Sequence, residues 1–201
     1  DERSGQAINL FVARNKRRLY PASRHLRQAP AVLAISLPAW RAYRDLRASC
    51  FEAPVDLRGR VSVAISARVD RLEREREWLE RLGRPPVHIR FLRHEAPAVW
   101  RHAVGAVRAF HAEGVPVSIA LVQDREAVRR PDLWRDFART VLDGVADCVA
   151  WAEVGHAINR VKWGFWSFAE YRRFLAATQA ATAGFRGLRL TGPAAIDFEY
   201  P

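Results

Sequence analysis

The feature that most constrains this chain of 201 residues is a regular alternation of strand-like and helix-like runs after residue 60. Strand-like runs start near residues 61, 87, 117, 148 and 188, at spacings of 26, 30, 31 and 40 residues. The first four are followed by helical patterns over 70–82, 98–112, 131–142 and 168–183, and these spacings suit strand–helix units. The alternation predicts an α/β fold with a parallel sheet whose strands lie in sequential order.

The segment after the first run separates two parallel architectures. It reads SARVDRLE and lacks the glycines of a dinucleotide- or phosphate-binding loop. This favours a TIM-type (β/α) barrel over a doubly wound sheet. A barrel needs eight strands, whereas five strand-like runs are present. We therefore interpret 59–201 as a partial barrel, incomplete at its C-terminus, whose open sheet edges favour self-association.

Residues 1–58 lack this alternation. The segment contains a basic cluster that includes Arg14, Lys16, Arg17 and Arg18, an apolar piece 31–37 bounded by Pro30 and Pro38, and Trp40, Tyr43 and Leu46 at helical spacing. We interpret it as a basic lead-in segment, or as the remnant of a preceding domain. The cluster is either a solvated face or a binding site for an anionic partner, such as an acidic glycan, a nucleic acid or a lipid surface.

The formal net charge is +11, from 33 Lys and Arg against 22 Asp and Glu, and nearly all the basic residues are arginine. Arginine bias with abundant alanine is typical of a GC-rich bacterial genome, and the same charge would attract a polyanion. No apolar run is long enough to span a membrane, which predicts a soluble protein, cytoplasmic or at the cell envelope. Cys50 and Cys148 are interpreted as reduced core residues rather than a disulfide framework.

Polar and aromatic residues are concentrated in 149–168, where the fourth strand-like run passes into a loop and a capped helix. Trp151, Trp163 and Trp166 lie within sixteen residues, and 153–159 reads EVGHAIN. In parallel α/β folds, ligands bind at the carboxyl ends of strands. The stretch is therefore the predicted site region.

The segment 153–159, followed by Trp163-Gly164 and the helix start at 167–171, resembles the E-I-G-N-E-P-N segment of retaining (β/α)8-barrel glycoside hydrolases. In that clan this segment closes strand four, its second Glu is the acid/base, and the nucleophile lies on strand seven. Here His156 stands where the clan has Asn, Ala157 where it has the catalytic Glu, and Ile158 where it has Pro. The resemblance implies a protein that binds or hydrolyses a carbohydrate, such as an envelope polysaccharide, without the usual acid/base.

Alternation along the strands predicts which side chains face the interior. On the second strand Val87, Ile89 and Phe91 should face the helices, so that Arg90 faces inward. On the fourth strand Glu153 should face inward. A buried carboxylate needs a partner, and the guanidinium of Arg90 is the expected one, either in a structural ion pair or at a substrate contact.

The candidate site residues gather at the carboxyl ends of the strands. The catalytic candidates are His156, Glu153, Glu199 and Asp197, and the substrate-binding candidates are Arg90, His94, Asp124, Asn159, Trp163 and Trp166. Aromatic faces and polar groups suit a sugar. The alternatives left open are a loop–helix core for the tryptophans and a satisfied loop histidine for His156. The histidine spacing predicts no metal site, and no cofactor is indicated.

Two further functions remain open at this stage. One is a non-catalytic interaction module that binds an anionic partner through its arginines. The other is a phosphate-binding barrel enzyme, which would need a phosphate site on strands that follow the five runs.

Overall fold

The computed structural model describes residues 23–50, 56–57, 61–160 and 163–195. They fall into two units, one within 14–58 and the other including the described residues from 61 onward. The first unit contains α1, Ser23–Cys50, a helix of 28 residues that runs through Pro30 and Pro38. The two prolines that bound the apolar run 31–37 therefore do not interrupt the helix. A proline removes one backbone hydrogen bond, and a helix of this length retains many others.

The two cysteines differ in their exposure to solvent. Cys50, at the end of α1, is exposed and is not the core residue that we predicted, whereas Cys148 in the second unit is buried. Both cysteines are free. Among the described residues, no helix combines the length and apolar character that crossing a membrane requires.

The second unit has the predicted alternating order. It contains β1 (Val63–Ile65), α2 (Leu72–Arg81), β2 (Val87–Leu92), α3 (Pro97–Ala112), β3 (Val117–Val122), α4 (Arg125–Arg129), α5 (Pro131–Val145), β4 (Trp151–Val154), α6 (Phe168–Thr182) and β5 (Arg189–Thr191). All five strands are parallel, in the order β1-β2-β3-β4-β5, which confirms the α/β class and the sequential strand order. The short helix α4 was not predicted from the sequence. Self-association through the edges of this sheet stays a prediction.

One face of the sheet packs against helices. Val87, Ile89 and Phe91 of β2 belong to the main apolar core, together with Ile119 of β3 and Phe110 of α3. The predicted orientation of these β2 side chains is confirmed. This helix-covered face supplies most of the apolar burial that stabilises the unit.

The opposite face carries the alternate strand residues, and we call it the site face. The strand register forms two rows of side chains. One row contains His88, Ser118, Trp151 and Arg189, and the next contains Arg90, Ala120, Glu153 and Thr191. A second apolar cluster on this face includes Ala120 and Trp163, which belongs to the loop after β4. The site face is therefore partly polar and partly covered by that loop.

Substitution of Trp134, on α5, tests the packing of the helix-covered core. Its side chain is fully buried, and its Nε1 donates a 2.7 Å hydrogen bond to Oγ1 of Thr178 on α6. Trp134→Phe should lower the free energy of unfolding by about 2 kcal/mol, because it leaves a cavity and removes the donor. Urea denaturation measures this loss. Trp78→Phe is the matched control, since Trp78 of α2 is 52% exposed; equal losses in the two variants would contradict this packing.

Candidate functional site

The carboxylate of Glu153 lies on the site face between two histidines. Its Oε1 is 3.3 Å from Nδ1 of His156, and its Oε2 is 4.0 Å from Nε2 of His88. Arg90, the predicted partner, is level with Glu153 but two strands away, a separation of about 10 Å between backbones. The expected ion pair with Arg90 is therefore wrong: among the described residues, the ionisable side chains within 4.0 Å of the Glu153 carboxylate are His88 and His156.

These neighbours set the protonation of the cluster. The hydrogen bond with His156 holds the pKa of Glu153 below its ordinary value, and the charges of His156, His88 and Arg90 act in the same direction against the effect of burial. Burial lowers the pKa of His88, although the carboxylate of Glu153 opposes this change. At neutral pH Glu153 is therefore ionised and His88 is neutral. An ionised carboxylate serves as an acceptor, a base or a nucleophile, and cannot donate a proton.

Ser118 orients the imidazole of His88. Its Oγ is 2.9 Å from Nδ1 of His88 and 3.3 Å from the carbonyl of Val87. This contact occupies Nδ1, so Nε2 is the ring nitrogen that faces Glu153. Nε2 of His88 and Oε2 of Glu153 are therefore two neighbouring polar groups on the site face.

Trp151, the first residue of β4, is the aromatic group beside this pair. Its ring stacks on the imidazole of His88, with centroids 5.6 Å apart and an angle of 26° between the planes. The side chain is only partly buried, so part of the indole is accessible. Trp151 was not among the candidates predicted from the sequence. Its alternation with Glu153 on one strand was the signal that could have identified it.

Gln123 fixes the start of the loop between β4 and α6, and the sequence analysis missed it. Its fully buried side chain donates from Nε2 to the carbonyls of His156 and Trp163, at 2.7 and 3.0 Å. Its Oε1 accepts a 3.0 Å hydrogen bond from the backbone N–H of His156. One amide therefore positions both His156 and Trp163. A single glutamine at the end of an apolar strand gives no pattern that predicts this role.

Arg125 of α4 is a second anchor for the same loop. Its Nη1 donates to the carbonyl of Gly164 at 2.7 Å, and its guanidinium pairs with Glu170 at 2.7 Å and lies 3.9 Å above the ring of Trp166. Gly164 has φ +104°, and a Cβ there would approach the backbone N of Arg125 to 2.9 Å. At the start of α6, the backbone N–H of Glu170 donates to Oγ of the N-cap residue Ser167, and the Glu170 carboxylate accepts from the backbone N–H of Trp166. The loop is therefore held at both ends.

This anchoring determines the positions of two predicted site residues. Trp163 is only 6% exposed, packs in a cluster with Leu92 and Ala157, and meets His156 edge to face at 4.5 Å between centroids. Trp163 therefore lies in a loop–helix core, the alternative that the sequence left open for the tryptophans. Trp166 makes a cation–π contact with Arg125. Ala157 is fully buried at φ +48°. A carboxylate at 157 would lie among apolar side chains, at a substantial desolvation cost.

The remaining candidates lie at the carboxyl edge of the sheet. Asp124 is 2% exposed, accepts a 2.7 Å hydrogen bond from the backbone of Ala127, and lies 3.1 Å from Nε of Arg93. Burial raises the pKa of Asp124 and lowers that of His94. Substrate roles for His94, Asp124 and Asn159 stay predictions. Asp197, Glu199, Arg14, Lys16, Arg17 and Arg18 lie outside the described residues.

Comparisons with other proteins do not identify the site. No protein-family model, curated protein or solved structure matches this chain. Within the described ranges, no group of three or more His, Cys, Asp or Glu side chains is arranged to hold a metal ion. The glycoside hydrolase resemblance therefore remains a prediction from the sequence.

Removal of the Gln123 side chain should release the loop. Gln123→Ala leaves the N–H and carbonyl of His156 and the carbonyl of Trp163 without this partner, and should cost about 2–4 kcal/mol of stability. Tryptophan fluorescence should shift to longer wavelength as Trp163 becomes more exposed. Gln179→Ala, at an exposed position on α6, is the control. A Gln123→Ala protein with wild-type stability and fluorescence would show that the amide does not hold the loop.

Acidification should destabilise the protein through His88. Its pKa is lower in the folded protein than the ordinary 6.5, so the unfolded chain takes up the proton first. The stability present above pH 6.5 is therefore lost as the pH falls below that value, and the lowered pKa of Glu153 adds a further loss below 4.5. His88→Asn should reduce the loss measured by urea denaturation between about pH 7 and about pH 5.

The control for this experiment is His111→Asn, since His111 is an exposed histidine of α3. It should retain the wild-type loss. Part of the loss should also persist in His88→Asn, because burial lowers the pKa of His94 as well. An unchanged pH dependence in His88→Asn would contradict the assignment to His88.

Proposed function

We propose that this protein is glycoside hydrolase-like and binds a carbohydrate on the site face, around Glu153, His88 and Trp151. The observation that carries the proposal is the pair of polar groups, Nε2 of His88 and Oε2 of Glu153, 4.0 Å apart beside a partly accessible indole. Sugar hydroxyls both donate and accept, so they match a carboxylate and an imidazole side by side, and the apolar face of the sugar ring suits the indole. The TIM-type barrel, with these five strands as its first five units, is part of the proposal.

Hydrolysis makes a further demand that Glu153 alone does not meet. A retaining mechanism needs two carboxyl groups about 5–5.5 Å apart, one of them protonated. The charged neighbours that shift the pKa of Glu153 are His156, His88 and Arg90, and a second carboxylate that close would raise this pKa. Glu153 is therefore proposed as a binding group and a potential nucleophile or base. An acid would have to come from elsewhere, and Asp197 and Glu199 are the candidates from the sequence.

The alternative, a non-catalytic module for an anionic partner, depends on Arg14, Lys16, Arg17 and Arg18. These residues lie outside the described part of the chain, and no described contact favours that function. The site face supports carbohydrate binding better, because it joins an accessible aromatic ring with several polar groups.

Calorimetric titration with a panel of oligosaccharides tests the proposal. Trp151→Ala should weaken binding about tenfold, since it removes the aromatic surface, and Glu153→Gln should weaken it about three- to tenfold, since it removes one charged acceptor. Trp78→Ala, on the exposed surface of α2, is the matched control and should bind like the wild type. Circular dichroism establishes that each variant is folded. The proposal is wrong if no oligosaccharide binds, or if folded Trp151→Ala binds as tightly as the wild type.

A further inference from the structure

Two arginines on the site face have no acidic partner within the described part of the chain. Arg90 and Arg189 are both exposed, and neither forms an ion pair with another described residue. The arginines at the carboxyl edge of the sheet, by contrast, form ion pairs with acidic residues. These pairs are Arg68–Glu95, Arg93–Asp124 and Arg125–Glu170. The edge arginines hold loops and helices in place, whereas those of the site face remain available to a ligand.

The register places these two arginines on either side of the proposed sugar site. Arg189 on β5 is the direct neighbour of Trp151, and Arg90 on β2 is level with Glu153. Arg90 also lies close enough for its charge to lower the pKa values of both Glu153 and His88, so its guanidinium is near the cluster. Strands β2 and β5 are three strand spacings apart, about 14 Å. This span exceeds one sugar ring and suits an oligosaccharide that crosses the strands.

The net charge of the site face indicates which kind of oligosaccharide it would bind. Among the strand residues of the site face, Glu153 is the one acidic side chain, and its carboxylate already contacts His156 and His88. The two arginines therefore leave a net positive surface around Trp151. A guanidinium binds a carboxylate through two parallel hydrogen bonds, which no neutral sugar hydroxyl can reproduce.

We propose that the ligand of this site is an acidic oligosaccharide built from uronic acids, with carboxylates bound by Arg90 and Arg189 while one ring lies on Trp151. This inference rests on the proposed carbohydrate function, because it specifies the ligand class of the same site. It identifies Arg90 and Arg189 as the residues that select the acidic ligand. The charge of the ligand, rather than its neutral hydroxyls, then distinguishes it from other glycans.

The test compares each acidic oligosaccharide with its neutral counterpart. The probes are oligogalacturonate and oligomannuronate, each beside the same oligomer with its carboxyl groups reduced to primary alcohols, titrated calorimetrically at low salt. The wild-type protein should bind an acidic form about tenfold more tightly than its reduced form, since exposed charge pairs contribute up to about fivefold each. The preference should decrease as salt is added. Galacturonic acid monomer should bind more weakly than the oligomer, because it cannot reach both arginines.

Arg90→Gln and Arg189→Gln should each remove part of the preference, and the double variant should remove nearly all of it. These variants should weaken binding of the acidic oligomers more than binding of the reduced oligomers, because only the acidic forms lose a charge pair. Arg139→Gln is the matched control, because Arg139 is an exposed arginine of α5. It should keep the wild-type preference.

The outcomes separate this inference from the function on which it rests. Equal binding of acidic and reduced forms would overturn the uronic acid inference and leave carbohydrate binding intact. An acidic preference that persists in the double variant would overturn the assignment to Arg90 and Arg189. Absence of binding to every probe would overturn both proposals. Tighter binding of a single-stranded DNA oligomer, lost in the same double variant, would identify the face as a nucleic-acid site and overturn the inference.

Discussion

The site depends on three hydrogen bonds made by the buried amide of Gln123. They satisfy the N–H and the carbonyl of His156 and the carbonyl of Trp163, groups that would otherwise be costly to bury. Because both residues belong to the loop after β4, this contact fixes that loop against the sheet. It brings the imidazole of His156 to Glu153 and places the indole of Trp163 over the end of the site face. The surroundings of the Glu153 carboxylate and the cover over the end of the site face therefore both depend on the Gln123 amide.

The fixed loop packs Trp163 and Trp166 against the protein and leaves Trp151 partly accessible. Trp163 and Ala157 lie in an apolar cluster on the covered part of the site face, and Trp166 lies against the guanidinium of Arg125. Trp151 is on the strand itself, beyond the reach of this cover, and is only partly buried. The accessible aromatic surface is therefore on β4, beside Glu153, and not on the loop. The buried methyl group of Ala157 fits this division, because the side chains around it are apolar.

Arginine in this protein has two physical roles that composition does not distinguish. Residues such as Arg125 connect consecutive strand–helix units through partly buried ion pairs, in which the geometry and the low exposure strengthen the interaction. Arg90 and Arg189 are on the sheet surface, where solvent stabilises their charge until a ligand replaces it. The count of 33 Lys and Arg residues therefore overstates the positive surface available to partners, because arginines such as Arg68, Arg93 and Arg125 already contact carboxylates. Arg90 and Arg189 differ from these paired arginines in lying on the site face, where they add positive charge at the proposed site.

The sequence by itself determined the α/β class, the sequential parallel order and the orientation of Val87, Ile89 and Phe91, because strand alternation and helix spacing are local properties of the chain. It also indicated that Glu153 faces inward, for the same reason. Only the tertiary structure decided the partners of Glu153, which are histidines and not Arg90, because pairing across a sheet depends on register and on a loop held by Gln123. Burial and hydrogen bonding between distant segments leave no periodic signal along the chain, so these contacts appear only when the strands are brought together.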